Sequence, residues 1–370
     1  MKATDFDFFL PKDLIAERPT KEQADSKLLV LHRYGLIEHK RFSDLPLYLN
    51  KGDMLIINNT KVFPARLTGF KKNGDKIDIL LIRKKDGNNA WEVLSRGRFT
   101  GRLKISEELE LELHNGETAN FKYSGDFMDN IWKYGNMPLP PYIRRQPDEL
   151  DKKTYQTIFA KKEGSIAAPT AGLHFTDRLL NEIVSKGIIV RELTLHIGTG
   201  TFKPIRTEYI EEHSMDAECF EIEKGLISEI KKTKASGKTI ISVGTTTTRA
   251  LEGYMSGKWS AVNGKKHIQD TGYTIKDKNI EHHASGIMNR GSCIMHRESR
   301  IIKGYTDIFI YPGYKFKAID SLITNFHLPG STPLMLASAL CGFGKLMNAY
   351  EEAIVRRYRF LSYGDAMLIL

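Results

Sequence analysis

Between about Arg66 and Pro141 the chain carries short alternating strands and no helical period, inside a sequence that otherwise alternates strand with helix. KIDILLIR and AWEVLSR flank the turn residues Asp86, Gly87, Asn88 and Asn89, and LELELH and TANFKY flank Asn115-Gly116. Asn, Asp and Gly tolerate the positive φ that tight hairpin turns require, so these pairs predict hairpins. Several hairpins in succession predict a small β-barrel or sandwich. The Pro-rich segment Met137 to Pro141 then punctuates the chain.

On either side the texture is different. DMLIINN reads as a strand, and after about residue 148 strand and helix alternate repeatedly. Thr176 is placed to cap DRLLNEIVSK and Gly187 to end it; Gly237 stops EKGLISEIKKTKAS, and KTIISV follows as a strand. TDIFIY and SLITNF read as strands before a helix with Ser331 or Thr332 as cap and Pro333 at its first position. A last helix, KLMNAYEEAIVRRYRF, leads to a closing strand, AMLIL. This alternation predicts an α/β fold, a largely parallel layer or barrel. The stretch 257–304 fits neither texture: it holds nine basic and four acidic residues, 9 − 4 = +5, and reads as a basic polar insertion.

Charge and cysteine content narrow the function. Lys plus Arg minus Asp plus Glu is 55 − 45 = +10, a bias towards polyanions such as nucleic acid. No apolar run approaches the length of a membrane span, and the N-terminal stretch lacks a secretory h-region. Cys219, Cys293 and Cys341 are widely spaced with no CxxC, which supports neither a disulfide framework nor a cysteine zinc site and fits a cytoplasmic setting.

The chemistry concentrates where strands end. LTLHI is followed by Gly198-Thr199-Gly200-Thr201, IISV by Gly244, Thr245 and Thr246, and LITNF by His327-Leu328-Pro329-Gly330-Ser331-Thr332; Thr170 and Gly172 open an earlier segment of like composition. Ligands of α/β folds bind at the carboxyl ends of strands, where glycine allows close approach and hydroxyls with helix N-termini offer donors to anions. One such segment is an ordinary turn; four at equivalent points make a site. His174, His196 and His327 lie within these segments and are candidates for proton transfer. Lys61 and Arg66, with Arg144 and Arg145, flank the hairpin region at its two connections and are candidate phosphate contacts. No P-loop, dinucleotide fingerprint or nucleophile elbow is present, and no metal-ligand pattern accompanies His213.

NNTKVFPARL, GSIAAPTAGLHFT, LHIGTGTFKPI, VGTTTTRALE, TDIFIYPGY, TNFHLPGSTPLMLASAL and YRFLSYGDAMLIL, in that order, resemble the S-adenosylmethionine:tRNA ribosyltransferase-isomerase family of queuosine biosynthesis. The resemblance implies a barrel-like α/β domain interrupted by a small inserted β-barrel domain: residues 1–65 with 149–370, and 66–148. It implies S-adenosylmethionine as co-substrate and ribosyl donor, with no metal or redox cofactor. The other substrate implied is tRNA with a GUN anticodon carrying 7-aminomethyl-7-deazaguanine; the products are epoxyqueuosine, adenine and methionine. A monomer is implied, with no membrane partner. On this footing His174, His196 and His327 are expected to include the proton-transfer groups. Gly198 to Thr201 and Gly244 to Thr246 are expected to hold the sugar and the methionine carboxylate, and Asn325 a nucleobase edge or the ribose. Two features differ from the family pattern: the length of 257–304, and the absence of a Pro-containing turn in SRGRFTGRLKIS at 95–106. An RNA methyltransferase and a non-catalytic tRNA-binding module are the competing readings.

Overall fold

The computed structural model describes residues 1–20, 23–85, 89–202, 205–262 and 300–370. The expected turn residues 86–88 and most of the 257–304 insertion (263–299) lie outside the described residues. The chain opens with strands β1 (Lys27–Leu31), β2 (Ile37–Arg41), β3 (Met54–Asn58) and β4 (Thr60–Val62). Next come β5 (Arg66–Phe70), β6 (Lys76–Lys84), β7 (Ala90–Ser95), β8 (Gly101–Lys104), β9 (Leu109–His114) and β10 (Thr118–Tyr123). Helices α1 (Phe127–Tyr134) and α2 (Asp151–Thr154) lead to β11 (Lys162–Ser165), α3 (Asp177–Ser185), β12 (Ile189–Leu195), β13 (Glu218–Glu223) and α4 (Lys224–Ala235). The remainder is β14 (Ile240–Val243), α5 (Thr245–Ser256), β15 (Ser260–Ala261), β16 (Ile301–Thr306), β17 (Ser321–Asn325), α6 (Thr332–Cys341), α7 (Phe343–Val355) and β18 (Ala366–Ile369).

Strands β5 to β10 close on themselves as a barrel in the order β10-β7-β6-β5-β8-β9. The alternation in LELELH explains the closure: Leu109, Leu111 and Leu113 fill the interior while Glu110 and Glu112 point outward. Asn115 (φ 51°) and Gly116 (φ 75°) both take the left-handed conformation that a primed hairpin turn demands. Backbone bonds between Arg66 and Asn136, 3.1 and 2.8 Å, tie the strand that enters the barrel to the segment that leaves it.

The other strands, apart from the β4–β11 pair, form one mixed sheet in the order β15-β16-β13-β12-β3-β14-β17-β18-β1-β2. Its centre, β12-β3-β14-β17, is parallel. Both faces of β3 are covered, so Met54 to Ile57 reads as an unbroken apolar run, whereas β12 carries Arg191 and Glu192 in its first half. In β3, Met54 and Ile56 face one core, while Leu55 and Ile57 face another that contains Phe42, Phe175 and Leu179. The flanks depart from the expected parallel layer, because β13, β16, β18 and β2 each pair antiparallel to a neighbour. Strand and helix alternation in sequence says which segments are strands but does not fix the direction of edge strands.

Two element boundaries also differ. TDIFIY contributes only Thr306 to a strand; Ile308 and Ile310 are buried outside the ladder, and the Ile308 carbonyl accepts a bond from Arg249 Nε at 3.1 Å. The last helix stops at Val355, because Arg357 at φ 53° turns the chain and delivers Tyr358 and Phe360 to the core.

Candidate active site

Parallel order places the carboxyl ends of β12, β3, β14 and β17 along one edge, with Asn58, Val243 and Asn325 among the terminal residues. Asn58 clamps this edge. Its Oδ1 accepts the Leu195 and Thr60 N–H groups at 3.0 and 3.1 Å, and its Nδ2 donates to the Leu195 carbonyl at 3.0 Å. A cavity of about 350 Å³ opens beside these ends. Thr170, Gly244, Thr245, Thr246, Asn325 and His327 all line it, so three of the four glycine- and hydroxyl-rich segments meet there. Ile197 is the contribution from the end of β12.

Gly244 sits at φ 90° as the N-cap of α5 and donates its N–H to the Ile323 carbonyl at 2.8 Å. That sharp turn divides the four threonines behind it. Thr247 and Thr248 bond backward, to the Val243 carbonyl at 2.6 Å and to Ser242 Oγ at 2.9 Å. Thr245 and Thr246 are left at the cavity wall with the first turn of α5, whose N–H groups have no intrahelical acceptor. The α6 N-terminus, through Ser331 and Pro333, lines the same wall.

Asn325 is buried, and its Nδ2 donates to the Leu361 carbonyl at 2.9 Å and to His174 Nε2 at 3.3 Å. The carbonyl fixes which end of the amide points inward, and it leaves Asn325 Oδ1 with no partner among the described residues. His174 therefore carries its proton on Nδ1 and donates to Ser26 Oγ at 2.7 Å, with its ring 5.0 Å from that of Phe42. Burial holds its pKa down at about 4. His174 thus lies one layer behind the cavity. His327 lines it directly, with Nε2 2.6 Å from Thr324 Oγ1 and its backbone N–H donating to Tyr350 at 3.0 Å. Desolvation pushes the His327 pKa well below the ordinary imidazole value, so the ring is neutral at pH 7.

The other expected residues lie elsewhere. His196 bonds Thr60 Oγ1 at 2.8 Å and is not part of the cavity lining; burial lowers its pKa, and nearby Glu221 raises it. Gly198 donates to Glu218 Oε1 at 3.2 Å, and Thr199, Gly200 and Thr201 begin a single helical turn. Gly172 is a packing glycine: a Cβ there would meet the Phe159 ring at 2.7 Å. Tyr142 and Ser362, bonded to each other at 2.6 Å, also line the cavity; Tyr142 lies outside every motif named above, and Ser362, within YRFLSYGDAMLIL, had been given no role. Burial pushes the Tyr142 pKa up to about 12.

Of the basic residues, Lys61 pairs with Glu163 at 2.6 Å and lies 4.7 Å from the Trp132 ring centre. Arg66 begins β5 half-buried, and Arg144 is exposed with its backbone N–H 3.3 Å from Glu17. Arg145 is held inside the fold by two bonds of 2.6 Å to Asp151. Among the described residues no cluster of three metal-ligating side chains occurs, and no helix is long and apolar enough to cross a membrane.

Comparison with known proteins covers the whole chain. A family model described as "Queuosine biosynthesis protein" matches residues 3–369. A protein of Thermodesulfovibrio yellowstonii named S-adenosylmethionine:tRNA ribosyltransferase-isomerase is 50% identical, with 100% of each chain covered. Proteins of the same name from Halothermothrix orenii and Clostridioides difficile are 45% and 42% identical, again over 100% of each chain. The crystal structure of S-adenosylmethionine tRNA ribosyltransferase from Thermotoga maritima is similar at 31% identity and TM-score 0.51, covering 99% of this chain and 100% of that one. By its full-length match and by its fold, this chain belongs to the queuosine biosynthesis protein family.

Proposed function

We infer that the chain is an S-adenosylmethionine:tRNA ribosyltransferase-isomerase. It transfers and isomerises the ribosyl moiety of S-adenosylmethionine onto 7-aminomethyl-7-deazaguanine at the tRNA wobble position, giving epoxyqueuosine with release of adenine and methionine. The carrying observation is the coincidence of an end-to-end family match with a cavity at the carboxyl ends of parallel strands, where α/β sheets bind ligands.

His327 is the proton-transfer group that the geometry favours. A neutral imidazole does not repel the sulfonium, and His327 Nδ1, unpartnered among the described residues, is open to the C5′ proton that the sulfonium acidifies. His174 acts through Asn325 as a positioning residue, and Asn325 Oδ1 accepts from an adenine amine or a ribose hydroxyl. His196 is placed to order the β4–β12 junction. The reaction as written needs no metal or redox cofactor. The partner is tRNA with a GUN anticodon, bound by a cytoplasmic monomer through Lys61, Arg66 and Arg144 at the two connections to the barrel; the +10 excess makes that binding salt-dependent.

The test is to incubate the protein with S-adenosylmethionine and tRNA carrying 7-aminomethyl-7-deazaguanine, then to analyse products by mass spectrometry. Adenine and methionine together with a ribose-derived mass on the wobble nucleoside support the assignment. S-adenosylhomocysteine in their place overturns it in favour of a methyltransferase.

A further inference from the structure

We propose that Arg249, with the N-termini of α5 and α6, forms the carboxylate subsite that anchors the amino-acid end of S-adenosylmethionine. The proposal rests on the ribosyl-transfer reading above and assigns a ligand group to one wall of that cavity. Arg249 is 5% exposed, yet its guanidinium is only partly satisfied. Nε donates to the Ile308 carbonyl at 3.1 Å and Nη1 to Glu218, while Nη2 is buried with no partner among the described residues. Leaving two N–H donors of a buried cation unpaired is costly, and a fold retains such a group where a ligand satisfies it.

The surroundings identify that ligand as an anion. Arg249 lines a small cavity of about 10 Å³, room for about one water, together with Thr245, Thr246, Thr332 and Pro333. Thr245, Thr246 and Pro333 also line the large cavity, so a carboxylate held there against Thr245 and Thr246 meets Arg249 through the one water for which the small cavity has room. Helices α5 and α6 both begin here, and each N-terminus contributes about half a positive charge. The ion pair with Glu218 leaves Arg249 electrically balanced, so the two helix ends together match one carboxylate. Glu218 also accepts the Gly198 N–H, which ties the β12 loop to the same site. S-adenosylmethionine has one carboxylate, on the amino-acid arm that leaves as methionine. Holding that arm at Thr245 and Thr246, in front of Arg249, fixes the donor at its departing end and leaves the ribose on the side of Asn325 and His327.

Isothermal titration calorimetry with S-adenosylmethionine and with its decarboxylated analogue tests this. The wild-type protein is expected to bind the carboxylate-bearing ligand about 10- to 100-fold more tightly, as for a charge-assisted hydrogen bond. Arg249→Gln should erase that preference while leaving the affinity for the decarboxylated analogue in place, and Arg249→Lys should restore part of it. Equal binding of the two ligands by the wild-type protein overturns the proposal whatever the variants do. So does an Arg249→Gln protein that weakens both ligands equally, which marks a structural role. If Arg249→Gln does not fold, Thr245→Val takes its place and must narrow the same preference. The titrations are run with the protein alone and with tRNA lacking the 7-aminomethyl-7-deazaguanine base, and a wild-type protein that binds neither ligand in either case refutes the ribosyl-transfer reading itself, an outcome distinct from equal binding.

Discussion

Replacing Arg145 by alanine separates two roles for a basic residue at the barrel connection. If its guanidinium meets tRNA phosphates, Arg145→Ala weakens RNA binding and leaves the fold alone. The structure argues otherwise. Asp151 has no exposed side-chain surface and takes both 2.6 Å bonds from Arg145, with further bonds from the Asp148 N–H at 2.9 Å and Tyr363 at 3.1 Å. Taking away the cation strands a buried carboxylate, which costs about 3–5 kcal/mol, a large part of the 5–15 kcal/mol that separates folded from unfolded in a typical domain. Urea unfolding followed by tryptophan fluorescence should show a much lower midpoint for Arg145→Ala. The double variant Arg145→Met with Asp151→Leu should recover part of the loss, since no charge is then left buried, while the Asp148 N–H and the Tyr363 hydroxyl lose their acceptor. Arg144→Ala, one residue away and exposed, should stay within about 0.5 kcal/mol of wild type. An Arg145→Ala midpoint equal to wild type, accompanied by weakened tRNA binding, would refute the reasoning and return Arg145 to the phosphate contacts.

Arg144→Ala should instead lower tRNA affinity and reduce the slope of log affinity against log salt by about 1; an unchanged slope removes Arg144 from the interface. His327→Ala should lower kcat by about 10²- to 10⁴-fold with S-adenosylmethionine binding retained, and near-normal turnover would place the proton chemistry elsewhere. His174 binds its proton less readily folded, at about 4, than at its ordinary 6.5, so its contribution to stability is complete above about 6.5 and is lost as pH falls towards 4. That loss amounts to about 3 kcal/mol, and His174→Gln should remove this part of the acid sensitivity; equal urea midpoint shifts in both proteins over that window would contradict it. Gly172→Ala forces a methyl to within 2.7 Å of the Phe159 ring and should cost about 1–3 kcal/mol; a variant as stable as wild type would show that the ring yields freely.

Both textures of the fold were legible because period is a local property. Leu109, Leu111 and Leu113 alternate with glutamates, and Asn115-Gly116 supplies the turn, so the barrel hairpin follows from residues adjacent in sequence. Helix α3 begins at the expected cap, with Thr176 Oγ1 accepting the Leu179 N–H at 3.2 Å, for the same reason. The direction of the flanking strands was not legible. β18 lies between β17 and β1, antiparallel to the first and parallel to the second, and the second pairing joins Leu28 to Ala366, more than three hundred positions away.

The site shows a second limit, one of side-chain orientation. Residue type says that a hydroxyl, an imidazole or a guanidinium is present, but not which way it faces. Four consecutive threonines at 245–248 look alike in sequence, yet 100° of helical rotation per residue turns Thr247 and Thr248 onto the backbone behind them and leaves Thr245 and Thr246 at the cavity. His174 and His327 are each followed closely by an apolar residue and look equivalent, but Ser26 and Asn325 occupy both nitrogens of the first while Thr324 occupies one nitrogen of the second. Arg249 sits inside VGTTTTRALE, where the eye goes to the glycine and the threonines. Its importance appears only once Glu218 and Ile308 are seen to satisfy part of the guanidinium and no more. In sequence a charged residue on a helix reads as solvated surface; in the fold it is buried behind the wall of the large cavity, and a donor unpaired among the described residues in that position is the feature from which the ligand was inferred.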